Sequence, residues 1–117
     1  MSEPAADSPA GVLLQGKLVR PGALRVEGAQ TARLRWRRGE PAEKFYPPEA
    51  RRKGLDGIVT VDLLINAEGF VLEAQVISES PTGEGFGLAA LDVVKTYEYF
   101  NDLKRQVLMA VTVSFLP

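Results

Sequence analysis

Two alternating runs joined by a three-residue turn dominate the chain. In "GIVTVDLLIN" (57–66), Val59, Val61, Leu63 and Ile65 recur with period two, while Thr60 and Asp62 take the opposite side. "AEG" (67–69) ends on glycine and reads as a hairpin turn. "FVLEAQVISES" (70–80) returns as the second strand. Strict alternation there buries Phe70, Leu72, Ala74 and Val76; a bulge near Leu72 buries Val71 instead. A hairpin with one apolar face is not stable alone, so the rest of the chain must cover it.

The cover follows directly. In "FGLAALDVVKTYEYF" (86–100), Phe86, Ala90, Val93, Val94 and Tyr97 fall on one stripe at helical spacing. "NDLKR" (101–105) connects to a last strand in "QVLMAVTVSFLP" (106–117), with Val107, Met109, Val111, Val113 and Phe115 on one face. The order β, β, α, β implies a right-handed crossover. It makes the second and third strands parallel, with the first between them and antiparallel to both. The expected fold class is α+β: a ββαβ core with a three-stranded antiparallel or mixed-order sheet, one helix covering one face, and a short helix before the first strand. This order leaves the last strand, 107–115, as a sheet edge.

The short helix is read from "YPPEARRKGLDG" (46–57). Proline suits a first helical turn, Glu49 its N-terminal end and Arg51, Arg52 and Lys53 its C-terminal end. Gly54 is expected as the left-handed residue after the helix, and Gly57 as a positive-φ reversal into the strand. Upstream, 1–10 reads as a disordered tail. Residues 11–45 form an N-terminal extension in which 11–20 and 30–38 are candidates for a hairpin and for extra strands, and 46–117 form the domain.

The residue inventory excludes several chemistries. The 117 residues contain no Cys and no His. Disulfides, thiolate metal sites, Cys nucleophiles and His-based proton transfer are therefore ruled out. Asp56, Asp62 and Glu68 do not fall on one face, and "GEGFG" (83–87) lacks the Lys-Ser/Thr of a phosphate loop. No nucleophile–base pair is visible. The chain reads as a non-enzyme, with no cofactor, no metal and no small-molecule substrate. Charge is uneven: residues 17–53 carry eleven Lys/Arg and four acids, and 54–117 carry three and nine. The start has no cationic n-region followed by an apolar stretch, and no apolar run is long enough to span a bilayer. As a complete chain it reads as cytoplasmic; with an export or anchor segment missing, as periplasmic.

From Tyr46 onward the motifs resemble the C-terminal domain of TonB-type energy transducers. The matching positions are Tyr46-Pro47, Gly57, Glu68-Gly69, Ala89-Ala90-Leu91, Tyr97-Glu98-Tyr99 and the strand 107–115. Tyr97 stands where that family usually has Trp, and Asn101 where it has Pro. The resemblance implies a periplasmic module of the cell envelope. Its partner would be a peptide segment of an outer-membrane transporter or another envelope protein, captured by β-augmentation. In that family the last strand and the stretch before Tyr-Pro contact the partner, which implies Glu43, Phe45, Leu108, Ala110, Thr112 and Ser114 as peptide-binding residues.

Two other readings use different surfaces or partners. The same edge could pair with a second copy, giving a structural homodimer. The Arg33–Arg38 run around Trp36 could bind nucleic acid through stacking and phosphate contacts, although such a run is more commonly a solvated strand face.

Overall fold

The computed structural model describes residues 12–13 and 16–117, the first pair by backbone alone; the expected tail at 1–10 lies outside the described residues. The elements in chain order are β1 (Val12–Leu13), β2 (Leu24–Arg25), β3 (Leu34–Arg38), α1 (Pro48–Arg52), β4 (Gly57–Ile65), β5 (Val71–Ser80), α2 (Phe86–Val94), β6 (Glu98–Asn101) and β7 (Val107–Phe115). Among the described residues they form a five-stranded sheet, β1-β5-β4-β7-β2, and a two-stranded ribbon, β3-β6. The α+β class and the ββαβ core hold, with β4 central and antiparallel to both β5 and β7. The N-terminal segment adds one short strand to each side, β1 antiparallel to β5 and β2 parallel to β7.

The core lies between the sheet and α2. Val59, Val61, Leu63 and Ile65 are fully buried on one face of β4, against Phe86, Ala90, Val93 and Val94 of the helix. The bulge at Leu72 is present: Leu64 faces Glu73, Ile65 faces Val71, and Leu72 is left over, 49% exposed. Val71 therefore packs against the core, whereas Phe70 is exposed. A second bulge leaves Ile77 unpaired between Val76 and Ser78. The turn rests on Gly69 at φ 98°, where a Cβ would sit 1.8 Å from the Tyr99 carbonyl oxygen, so only glycine fits.

Three expectations are corrected. The helix expected over 86–100 ends at Val94, and 98–101 is a strand paired with β3. The Thr96 hydroxyl donates to the Val93 carbonyl and closes the last turn. Beyond it "YEYF" alternates, placing Tyr99 inside and Phe100 outside, so its aromatic residues satisfy a period of two better than one of 3.6. The hairpin between 11–20 and 30–38 does not form. β1 pairs with the ten-residue β5 and β3 with β6 instead. Gly57 has no positive φ. It is the buried first residue of β4, and a Cβ there would lie 2.4–2.6 Å from the Phe86 ring. Close approach, not backbone freedom, requires glycine at this point.

Tyr46 shows how the opening motif is built. Its ring stands edge-on to Phe86 and Phe115, with centroids 5.9 and 5.8 Å away. Its hydroxyl donates to the Leu55 carbonyl, and the Arg51 guanidinium lies 4.7 Å over its other side. One side chain thus ties both ends of α1 to the core. Gly54 follows the helix at φ 70°, as expected for a left-handed cap.

Candidate functional site

The second face of the sheet decides which part of its edge is open. On β4, Ile58 is 54% exposed while Asp62 and Leu64 are buried. The difference comes from the segment 16–26. Following β1 on β5, it accepts a hydrogen bond from the Gln75 side chain at the Gly16 carbonyl and passes over Asp62. It turns at Arg20–Ala23 and reaches β7 as β2. The Leu18 N–H donates to Asp62 Oδ2 at 2.8 Å, and Arg25 grips the same carboxylate with two nitrogens at 2.6 and 2.7 Å. A buried carboxylate with three donors is fully compensated. Asp62 is therefore a structural ion-pair member that holds the arm down.

β7 was expected to be a free edge over 107–115. Its first two residues are instead covered by β2: the Leu24 N–H donates to Gln106 C=O and the Val26 N–H to Leu108 C=O. Among the described residues, no strand pairs with Met109–Phe115 on the outer side. These two bonds also fix which main-chain groups face outward. Gln106 and Leu108 point their carbonyls away from β4, and the β4–β7 register runs without a shift from Ile65↔Val107 to Gly57↔Phe115. Along a regular strand the direction alternates residue by residue. Ala110, Thr112 and Ser114 therefore turn their N–H and C=O groups outward, and Met109, Val111, Val113 and Phe115 turn theirs to β4.

The six residues implied as peptide contacts fall into three places. Ala110, Thr112 and Ser114 are exposed on the open stretch, with side chains on the face away from α2. Leu108 is buried beside Arg25, at the covered end. Glu43 and Phe45 lie in a 3-10 turn, Ala42–Phe45, that packs near β7; Glu43 is exposed and Phe45 rests half-buried on the core. Sequence reasoning missed two apolar neighbours of the open stretch. Ile58 faces Ser114 across the ladder, and Leu116, 66% exposed, follows it. Both were legible as apolar residues out of phase with the buried face. No residue of 109–117 carries a charged side chain.

The basic run of β3 sits elsewhere, on the ribbon. Arg35 pairs with Asp102 at 3.1 Å, and Arg37 and Arg38 share Glu98. Trp36 stands edge-on to Tyr97 and Tyr99, at 4.7 and 6.0 Å between centroids. Burial pushes the phenol of Tyr97 up, and that of Tyr99 further, with neighbouring Tyr97 adding to the shift in Tyr99. The Arg35 guanidinium holds the Asp102 carboxyl below its usual range. The arginines thus serve largely as partners for the acids of β6 and its turn. Asn101, in the position where proline was expected by resemblance, is a buried connector. Its amide donates to the carbonyls of Asn66 and Arg105 at 2.9 and 2.8 Å, and its oxygen accepts from Leu103 and Lys104.

No helix among the described residues is long and apolar enough to cross a membrane. No curated protein matches the chain. One family pattern does, described as Gram-negative bacterial TonB protein C-terminal, over residues 42–116, so that β1, β2 and β3 lie outside the match. Domains of this family are periplasmic, non-catalytic modules that contact outer-membrane transporters and other envelope proteins. With the match covering most of its length and the ββαβ core in place, the chain belongs to the TonB C-terminal domain family.

Proposed function

We propose that the chain is a periplasmic binding module that captures an extended segment of an envelope protein, such as an outer-membrane transporter, as an added strand on β7. The observation that carries the reading is the outward row of main-chain groups at Ala110, Thr112 and Ser114, next to no other strand among the described residues. Main-chain pairing supplies affinity there, and side chains of the incoming strand at alternate positions meet Ile58 and Leu116 on one side and the Ala42–Phe45 turn on the other. Glu43 and Phe45 line that turn and Leu108 ends the row. The family membership supports the same class of partner.

The test is a proline scan. Thr112→Pro deletes an outward N–H and leaves the β4 ladder whole, as proline is tolerated on the free side of an edge. Binding of an extended transporter peptide, read by NMR shifts or calorimetry, is expected at about micromolar affinity in the parent and to be lost in the folded variant. A folded Thr112→Pro that binds like the parent removes this reading. Sedimentation of the free protein as an obligate dimer with no peptide affinity would assign the edge to self-pairing instead.

A further inference from the structure

We infer that β2 is a fixed stop on the binding edge, which confines an incoming strand to Met109–Phe115, and that Arg25 is the positioning residue that sets the stop. The inference rests on the strand-adding reading of β7 and concerns the arm outside the family match.

Four observations carry it. First, β2 already uses the outward carbonyls of Gln106 and Leu108, so a second strand cannot lie in the same ladder at that end. Second, a two-residue strand is too short to persist on two main-chain bonds against the entropy of ordering it. It is held from both faces: Leu24 and Val26 pack into the core on the helix side, and Arg25 reaches the opposite face to Asp62. Arg25 also donates to the Leu18 carbonyl at 3.0 Å while the Leu18 N–H binds Asp62, so the two legs of the arm are closed on one carboxylate. Third, the arm leaves the edge at once. Gly28 at φ 60° starts the 3-10 turn Gly28–Arg33 that leads away to β3, and this leaves β7 open from Met109. Fourth, the open stretch is lined by small or apolar side chains without charge, Ala110, Thr112, Ser114, Ile58 and Leu116. It suits an uncharged incoming strand with β-branched or apolar residues at alternate positions. The occupant is thus a short extended segment of another protein, whose paired length is set by this chain's own arm.

The experiment uses the full chain and synthetic peptides of alternating Thr and Val, with paired lengths of five, seven, nine and eleven residues and a Lys at each end. In the parent, affinity should rise from five to seven residues and then level, with nine and eleven within about twofold of seven. In Arg25→Met/Asp62→Leu, which removes the ion pair that closes the arm and leaves no charge buried, the rise should continue, with nine residues about fivefold tighter than seven. The same plateau in both proteins overturns the stop and leaves the strand-adding function standing. Binding of no peptide by either protein overturns both. A measurement without any variant guards against misfolding of the double variant. Amide exchange in the free parent should find Leu108 protected and Ala110, Thr112 and Ser114 fast, with only the last three slowing when the seven-residue peptide is added. Fast exchange at Leu108 in the free protein overturns the inference.

Discussion

Arg25 and Asp62 meet end to end across the sheet, Nη1 2.6 Å from Oδ1 and Nη2 2.7 Å from Oδ2, with the carboxylate fully buried and a quarter of the Arg25 side chain still in contact with water. Removing one partner strands the other. Arg25→Ala should cost about 3 kcal/mol in urea unfolding, because an unpaired buried carboxylate remains. The double variant Arg25→Met/Asp62→Leu should recover most of that loss, since an apolar pair of similar volume carries no desolvation penalty. An Arg25→Ala midpoint equal to the parent's would mean that water already compensates Asp62.

Gly57→Ala should destabilise by about 1–3 kcal/mol through overpacking against Phe86. The Cβ would lie 2.4–2.6 Å from three atoms of that ring. Phe86→Leu in the same chain should return part of the loss, a coupling that a φ effect at Gly57 would not produce. Additive losses in the double-mutant cycle would refute the contact explanation.

Asn101→Ala should cost about 2–3 kcal/mol, because the carbonyls of Asn66 and Arg105 and the amides of Leu103 and Lys104 lose their common partner. Amide exchange should speed up at Leu103 and Lys104 while β4 stays protected. Uniform acceleration through β4 would instead mark Asn101 as part of the global unfolding unit.

Stability should fall above pH 10 in a way that Tyr99→Phe removes. Burial, with Tyr97 adding to it, raises the Tyr99 pKa in the folded chain above its unfolded value near 10. Above that pH the unfolded chain loses the phenol proton before the folded one does. Stability is therefore intact below pH 10 and declines as pH rises toward the folded value, by up to about 1.4 kcal/mol per pH unit for this group. The measurement is the difference in unfolding free energy between parent and Tyr99→Phe at pH 8 and pH 11. A constant difference would place the Tyr99 hydroxyl in water.

Asp102 has the opposite sign. Arg35 lowers its pKa, so what the pair contributes is present above the unfolded value and is lost as pH falls through the folded one. At an exposed site the loss is small, and added salt should screen it.

Period-two alternation at Val59, Val61, Leu63 and Ile65, and at Val107 through Phe115, was enough to place β4 and β7, because one buried face allows a single side-chain parity. Glycine after a basic turn located the end of α1, and the bulge at Leu72 was visible as a conflict between Val71 and Leu72. The same pattern read locally failed at Tyr97–Phe100, where an aromatic cluster fits a helix stripe or a strand equally well; pairing with β3, sixty residues away in the chain, decided it. The tertiary structure also decided the extent of the candidate site. Alternation identifies 107–115 as a strand with two sides, but it does not say what lies beside it. That depended on Arg25 finding Asp62 across 37 positions of sequence, an ion pair between a residue in an irregular arm and one that the strand pattern marks only as polar. The parity of the open edge was fixed the same way, by the Leu24 and Val26 amides on Gln106 and Leu108, because side-chain periodicity constrains faces of a sheet and not the order of its strands.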